Sequence, residues 1–302
     1  MSRRVLITGG AGFVGAALTR QALAGGADVA LLVRPTTDLT RLTDVRGDVR
    51  FITGDLAAVD SYSAAVGAFR PDTCFHLAWV TEPGKYVQSP LNAAFMLQTV
   101  DLLRCLKQAG CTQVVATGTC LEYAPSDDVL REESPVQYTS PYSSAKNFTA
   151  QLGLTLATGA GIRFAWGRLF YMYGRDDHPK RLLPSLMAAL REGRPFPTTD
   201  GAQRVDYLHV RDVAAGLSAL AGQHGVFNVC SGAGIAVADL ISRVGDLMGR
   251  RDLIQLGALQ RPAEMPLRVC GSRDKLTEAT GWTPRVTLDD GLRDLIAAVS
   301  ST

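Results

Sequence analysis

The sequence predicts an α/β chain organised on a doubly wound parallel sheet, with a smaller lobe interleaved towards its C-terminal end. Three observations lead there. Short β-branched runs alternate with longer segments of helical periodicity through the first half of the chain. The first of those runs, Val5-Leu6-Ile7, passes straight into the glycine-rich turn Thr8-Gly9-Gly10-Ala11-Gly12-Phe13-Val14-Gly15, and a helical pattern follows. After Tyr173-Gly174 the texture changes: Pro179, Pro184, Pro195 and Pro197 cluster with Gly193 and Gly201, marking loops and short elements in place of regular winding.

Taken in order, Arg4–Ile7 reads as the first strand and Phe13–Ala24 as the helix beyond the turn. Val29–Val33, Val49–Ile52, Thr73–Leu77 and Gln113–Thr117 read as further strands. Between them, Ser61–Phe69 and Leu91–Ala109 repeat apolar residues at helical intervals. Helix Pro141–Thr158 and strand Ile162–Leu169 continue the series. Such alternation implies right-handed βαβ units and a parallel sheet covered on both faces. Val226–Val229 is expected to return to the main sheet, so the second lobe is interleaved with the first. The end of the chain, from Leu276 through Gly281-Trp282-Thr283-Pro284 to Leu288–Val299, reads as helix, loop and final helix.

Bulk properties narrow the function. A length of 302 residues suits two domains, or one large α/β domain with an appended lobe. Hydrophobic residues make up 46% of the chain, ample for a buried core. The net charge of +2, from 31 basic and 29 acidic residues, gives no global basic field, so no nucleic-acid partner is expected. No apolar run is long enough for a membrane span, so no membrane association is expected. The N-terminus enters its first strand at once, and a cleaved signal peptide would sacrifice that strand. A cytoplasmic chain is therefore expected. Cys74, Cys105, Cys111, Cys120, Cys230 and Cys270 show no CxxC spacing, which suggests neither a zinc site nor a disulfide framework. His76, His178, His209 and His224 contain no i,i+4 pair, so no metal site is expected.

The turn has the chemistry of a dinucleotide site. Gly9 permits the tight turn, Gly12 lets backbone approach a pyrophosphate, and Gly15 allows close helix–sheet packing. Phe13 and Val14 open the helix, whose N-terminal N–H groups and positive dipole end face the phosphates. Residues 1–170 are thus expected to form a dinucleotide-binding domain, and 171–302 a substrate-binding lobe. An acidic residue roughly 20 positions beyond the glycines normally binds the ribose 2′-hydroxyl of NAD. Here the second strand ends Leu31-Leu32-Val33-Arg34-Pro35-Thr36-Thr37, without a carboxylate. Arg34 is suited to clamp a 2′-phosphate instead, with a hydroxyl from Thr36 or Thr37 and with Arg41 nearby. NADP(H) is therefore expected in preference to NAD(H), which stays possible.

Near the middle of the chain lies Tyr142-Ser143-Ser144-Ala145-Lys146. Its phenol and ammonium are i,i+4 and share one face of a helix. A free Tyr titrates near ~10, and a neighbouring ammonium favours the phenolate and draws that value down. The glycine turn followed by this pair resembles the extended short-chain dehydrogenase/reductase family, particularly its NAD-dependent epimerase/dehydratase, or nucleotide-sugar, branch. The resemblance runs from Thr8 to Pro284 and implies a Rossmann-type fold, with Lys146 hydrogen-bonding the nicotinamide ribose. It also implies that Asp55 and Leu56, in Gly54-Asp55-Leu56, lie against the adenine. Leu77 and Ala78 of His76-Leu77-Ala78-Trp79 are placed beside the cofactor, with His76 as a structural partner.

The segment Thr117-Gly118-Thr119-Cys120-Leu121-Glu122-Tyr123 is similar to the family's Ser-Ser-x-x-Val-Tyr, and alignment on Tyr123 puts Thr119 at the catalytic hydroxyl position. Thr117 is the second choice, near cofactor or substrate. Sugar-nucleotide 4,6-dehydratases place Asp-Glu directly after this residue. Cys120-Leu121 stand there instead and offer neither the acid nor the base that elimination needs. Carbonyl reduction, alcohol oxidation and 4-epimerisation remain open.

On the substrate side, Arg168-Leu169-Phe170-Tyr171-Met172-Tyr173-Gly174 resembles Arg-x-x-Asn-x-Tyr-Gly, with Tyr171 in the Asn position. Phe170 or Tyr171 is expected against the nicotinamide, and Cys120 and Tyr171 beside the substrate. Gln203-Arg204-Val205-Asp206-Tyr207-Leu208-His209 resembles Arg-Asp-Tyr-x-His with Val205 inserted, and Arg261-Pro262-Ala263-Glu264 resembles a second family arginine segment. By this resemblance Arg204 and Arg261 meet a nucleotide diphosphate, whose oxygens match guanidinium forks. The expected activity is NADPH-dependent reduction of the C4 keto group of a nucleotide-diphosphate 4-keto-6-deoxysugar in deoxysugar biosynthesis. The alternative is a nucleotide-sugar 4-epimerase holding NAD tightly. Reduction of a non-sugar ketone is a third reading, against which Arg204 and Arg261 argue. The family also implies a homodimer whose four-helix interface uses Leu91–Ala109 and Pro141–Thr158.

Overall fold

Alternating apolar strands and helices build rather more than the first half of the molecule, which the computed structural model describes over residues 3–262 and 266–300. β1 (Arg4–Thr8) leads into α1 (Phe13–Ala24), β2 (Asp28–Val33) and β3 (Arg50–Thr53). The winding continues through α2 (Ser63–Phe69), β4 (Thr73–His76), α3 (Leu91–Gln108), β5 (Gln113–Thr119), α4 (Pro141–Ala160) and β6 (Arg163–Leu169). Shorter elements follow: β7 (Tyr171–Tyr173), α5 (Leu182–Arg191), β8 (Phe196–Pro197), β9 (Arg204–His209), α6 (Val210–Ala219) and β10 (Gly225–Val229). The chain ends with β11 (Gly234–Ala236), α7 (Val237–Leu247), β12 (Ile254–Gln255), β13 (Arg268–Val269), α8 (Asp274–Thr280) and α9 (Leu288–Ser300).

The main sheet has seven strands in the order β10-β6-β5-β4-β1-β2-β3. Every pairing in it is parallel, with Val5 opposite both Val29 and Thr73. The strand order reverses between β1 and β4. In open α/β sheets that reversal opens a crevice at the carboxyl ends of the strands, where ligands bind. Side chains alternate across the sheet with period 2. Val5, Ile7, Val29 and Leu31 face one core with Leu18 of α1 and Leu217 of α6. Leu6, Ala30 and Leu32 face the other with Leu102 and Leu106 of α3 and Ala150 of α4. A third core joins Leu186 of α5, Leu240 and Ile241 of α7, and Leu292 and Leu295 of α9. Beside it lies a small sheet, β11-β9-β13, with β7 paired to β9.

Several boundaries differ from the sequence reading. β5 runs two residues past Thr117, because Gly118 and Thr119 keep pairing with Arg168 and Leu169 of β6. The fourth strand stops at His76, one residue short of Leu77. Helix α6 had no counterpart in the sequence reading. It follows β9 without a break, is capped by the His209 side chain accepting from Arg211 N, and packs on the α1 face of the main sheet. β10 pairs with β6, so residues 210–229 run within the main layers before the chain re-enters the smaller lobe.

Helix α4 is strongly delimited. Ser140 caps it by accepting from Ser143 N at 3.1 Å, Pro141 takes the first turn, and Gly161 ends it at φ +69°. Among the described residues no helix is long and apolar enough to cross a membrane. No group of three or more His, Cys, Asp or Glu side chains among them is placed to hold a metal ion. All six cysteines are buried free thiols.

Candidate active site

The crevice predicted by the strand order is a cleft of about 430 Å³ at the carboxyl ends of β1, β4, β5 and β6. Its floor is the glycine turn. Gly9 has φ +71°, and a Cβ there would come within 2.7 Å of Ala78 N. A Cβ on Gly15 would collide with Gly9 O, so helix and turn lie in backbone contact. Gly12 differs: a Cβ there would meet only Gly9 O, at 3.2 Å, and its other sides are open. Gly12 caps α1 without a side-chain hydrogen bond, and no acidic residue occupies the first helical turn. An uncapped N-terminus that opens on a cleft is a place for an anion. The cradle therefore fits a dinucleotide's pyrophosphate.

Thr119, Tyr142 and Lys146 meet on the cleft wall. β5 ends at Thr119, while α4 presents Tyr142 and Lys146 one turn apart on its buried face. The Lys146 ammonium donates to Thr117 O at 2.7 Å and lies 3.7 Å from the centroid of the Trp79 ring. Burial pushes it down to about 7, and the Glu122 carboxylate works in the opposite direction. His76 is fully buried between Thr8 Oγ1, at 2.7 Å, and Thr99 Oγ1, at 2.9 Å. Burial, reinforced by Lys146, holds it at about 3, so it is a neutral structural partner.

The Tyr142 ring meets Tyr86 edge-on at 4.8 Å between centroids. Burial, with the neighbouring Tyr86 phenol adding to it, carries the Tyr142 phenol well above its ordinary value, against a hydrogen bond with Thr119. The expected downward pull by Lys146 is thus corrected. Burial is the largest cause of the shift and Lys146 is not among its causes, so Tyr142 sits in the cleft as a protonated phenol. Thr119 Oγ1 accepts from Leu121 N at 3.2 Å. The oxygen is thereby engaged as an acceptor, and its hydrogen is left to donate into the cleft.

Thirteen of the residues expected at the site share this one cleft: Gly9, Gly12, Phe13, Val14, Gly15, Leu77, Ala78, Thr117, Thr119, Tyr142, Lys146, Phe170 and Tyr171. Seven others do not line it. Arg34 and Thr36 are exposed beyond β2, where Arg34 N is bonded to Thr37 Oγ1, and Arg41 reaches the cleft instead. The Asp55 carboxylate accepts from Ala57 N at 2.9 Å and so caps its own turn, while Leu56 packs in the core. Cys120 turns into the third core, where burial raises its thiol to about 12. Arg204 donates to Gly234 O at 2.7 Å across the small sheet, and Arg261 lies 3.7 Å from Asp200. Of the segment that begins at Arg261, Ala263 and Glu264 lie outside the described residues.

The sequence reading missed Tyr86, Asp177, His178, Arg181 and Tyr207, which complete the wall. Arg181 acts electrostatically on the phenols of Tyr86, Tyr171 and Tyr207 and on Asp177. These residues come from loops and from the small sheet, where no periodic pattern marks an inward face. Only the proline-rich texture around Pro179 signalled that irregular chain lay there.

The chain is similar to known proteins over most of its length. A family model described as the NAD dependent epimerase/dehydratase family matches residues 5–230. The chain is 28% identical to a UDP-glucose 4-epimerase of Corynebacterium glutamicum, over 94% of this chain and 92% of that protein. It is 27% identical to a dTDP-glucose 4,6-dehydratase of Streptomyces niveus, over 97% and 91% of the two chains. Among solved structures, the UDP-glucose 4-epimerase of Thermotoga maritima with UDP-glucose superposes with a TM-score of 0.89 at 20% identity, covering 99% of each chain. The Thermus thermophilus UDP-glucose 4-epimerase in complex with NAD gives 0.86 at 24% identity, again over 99% of each chain.

Proposed function

Because the chain belongs to the NAD dependent epimerase/dehydratase family, we propose that it acts by redox chemistry at C4 of a nucleotide-activated sugar. More narrowly, we read it as an NADPH-dependent reductase of a nucleotide-diphosphate 4-keto-6-deoxysugar. One observation carries that reading: Thr119 and Tyr142 meet on the wall of the cleft, with Cys120 and Leu121 following where elimination chemistry needs an acid and a base. Cys120 is turned into the core with its thiol raised to about 12, and Leu121 has nothing to ionise.

The chain's own groups suit reduction. Thr119 donates a hydrogen bond to the substrate's carbonyl oxygen and polarises it. Tyr142 gives that oxygen its proton as negative charge develops. Lys146, anchored on Thr117 O and against Trp79, holds the cofactor ribose. The bound nicotinamide supplies the hydride at C4. Arg181 supports an anionic substrate, since among the described residues it forms no ion pair and stands beside the phenols of Tyr86, Tyr171 and Tyr207.

Arg34 and Thr36, exposed just beyond the carboxyl end of β2, where no carboxylate stands, favour NADP(H). NAD(H) is the second choice, in keeping with the NAD held by the Thermus relative. The six buried free thiols suit the reducing interior of a cell, and we place the protein in the cytoplasm. A homodimer through α3 and α4 completes the proposal.

A second reading, 4-epimerisation with a retained NAD, is favoured by the UDP-glucose 4-epimerases among the relatives. The discriminating assay mixes purified protein with NADPH and a 4-keto-6-deoxy sugar nucleotide. Reduced cofactor should disappear in proportion to the 4-hydroxy product formed. Protein that carries NAD through purification, interconverts UDP-glucose and its C4 epimer, and consumes no added NADPH would establish the second reading instead.

A further inference from the structure

Behind the cleft lies a buried charge pair that the proposed chemistry does not use. Glu122, in the helical turn Cys120–Glu122 directly after β5, is fully buried, and four hydrogen bonds converge on its carboxylate. Thr119 N donates to Oε1 at 2.7 Å. Trp166 Nε1 donates to both oxygens at 3.1 Å. Arg168 Nε donates to Oε2 at 2.6 Å from a side chain only 6% exposed. A Cβ on Gly118 would collide with Glu122 Oε1 and Trp166 Nε1, so a glycine keeps the space for this cluster. The backbone oxygen of Glu122 accepts from Asn147, the neighbour of Lys146 on α4.

We propose that Glu122 is a positioning residue of the reaction centre: clamped by Arg168 and Trp166, its carboxylate holds Thr119 in place and stands across the Trp166 ring from Lys146 as its counter-charge. The proposal rests on the reading of Thr119 and Lys146 as catalytic residues. Stability alone does not account for the pair, since an apolar pair of similar volume is often as stable as a buried ion pair. Its placement does. Glu122 and Thr119 grip one another reciprocally, with Thr119 N–H on the carboxylate and Thr119 Oγ1 on Leu121 N–H. That fixes the position of the Thr119 oxygen at the edge of the cleft.

Lys146 is faced by Glu122 from the turn after β5, by His76 from β4, by Tyr142 from its own helix, and by the rings of Trp79 and Trp166. Of these groups, Glu122 brings the carboxylate, while His76 is neutral and Tyr142 protonated. Glu122 is itself faced by Arg168 from β6 and by Cys120 and Tyr123 from its own segment. Glu132 stands behind: its backbone oxygen accepts from Arg168 Nη1 and its carboxylate from Asn228 N.

The test is Glu122→Gln in the full-length chain, which keeps the shape and an acceptor for Thr119 N–H but removes the charge. Lysine carrying ¹³C at Cε is titrated by NMR, with the Lys146 resonance assigned by its loss in Lys146→Met. Removing a charge that favours the ammonium lowers its midpoint, and the expected fall is about one pH unit. If Arg168, left unpaired, prevents folding, Glu122→Gln/Arg168→Gln removes that charge as well, and the midpoint is still expected to fall, by less. Hydrogen exchange of the Thr119 amide reads the other contact and should quicken about tenfold in Glu122→Ala. A Lys146 midpoint that is unchanged or higher in a folded variant, or Thr119 exchange that does not change, overturns the proposal. Neither readout needs substrate, so a failure of the reductase assay leaves this outcome separate.

Discussion

Tyr142 shows how a side chain's place in the fold can override the titration its sequence context suggests. The i,i+4 spacing to Lys146 predicts a phenol drawn towards its anion, yet burial and the adjoining Tyr86 ring hold the proton on. A protonated phenol beside Thr119 can still donate to a developing oxyanion, and its hydroxyl is expected to be worth a large share of the rate. Tyr142→Phe leaves the ring packed on Tyr86 and removes the donor. Turnover of a 4-keto sugar nucleotide should fall by about 10²–10⁴-fold, while the affinity for reduced cofactor, followed by its fluorescence, changes little. A variant that keeps most of its kcat would exclude Tyr142 as the acid. The pairing of Tyr142 with Lys146 and the three glycines was legible in the sequence, because contacts within one turn or one helix follow from spacing alone. Glu122–Arg168 and Arg181 were not. Their partners come from other strands and loops, and no periodicity connects positions 122 and 168 before the sheet has aligned β5 with β6.

Among the elements, the β1–turn–α1 unit is the one whose geometry tolerates least. Gly9 has a positive φ, and Gly15 leaves no room for a Cβ beneath Gly9 O. Gly15→Ala must push α1 away from the turn, because the atom in the way is backbone and has no rotamer to escape into. The cradle should then open and cofactor affinity should drop at least about tenfold, while the strands beyond β2 stay folded. Titration of the variant with NADPH and with NADH measures the loss, and circular dichroism monitors the fold. Unaltered affinity for both cofactors would mean that the pyrophosphate does not rest on this turn. The same unit explains how much of the architecture could be read in advance. In the first 170 residues, glycine turns and β-branched runs punctuate the chain at each change of element, and the sheet obeys that punctuation. Beyond Tyr173 several strands shorten to two or three residues, as in β8, β11, β12 and β13. Helix α6 starts straight from β9, with His209 in place of a serine or aspartate cap. A strand that turns into a helix with no intervening glycine or proline gives periodicity nothing to detect.

At the scale of the whole molecule, the helix that carries the proposed catalytic pair also bears an exposed apolar surface. On the side of α4 away from Tyr142 and Lys146, Phe148, Leu152 and Leu156 follow one another at i, i+4 and i+8, and all are exposed. Tyr138 lies on Phe148 at 5.3 Å between ring centroids, and α3 adds Leu97, which is 60% exposed. Large apolar side chains scattered singly need no explanation, but a continuous stripe on neighbouring helices marks a surface that is covered. A second copy related by a two-fold axis would cover it with the same residues, setting α3 and α4 of each subunit into a four-helix bundle. The consequence for function is mechanical. A partner packed on the outer face of α4 would brace the helix whose inner face aims Tyr142 and Lys146 at the cleft. Phe148→Asp/Leu152→Asp should therefore turn a dimer into a monomer in sedimentation velocity, and kcat should fall with the change in mass although neither residue lines the cleft. If the wild-type chain sediments as a monomer at micromolar concentration, or the double variant still sediments as a dimer, this face is not the interface.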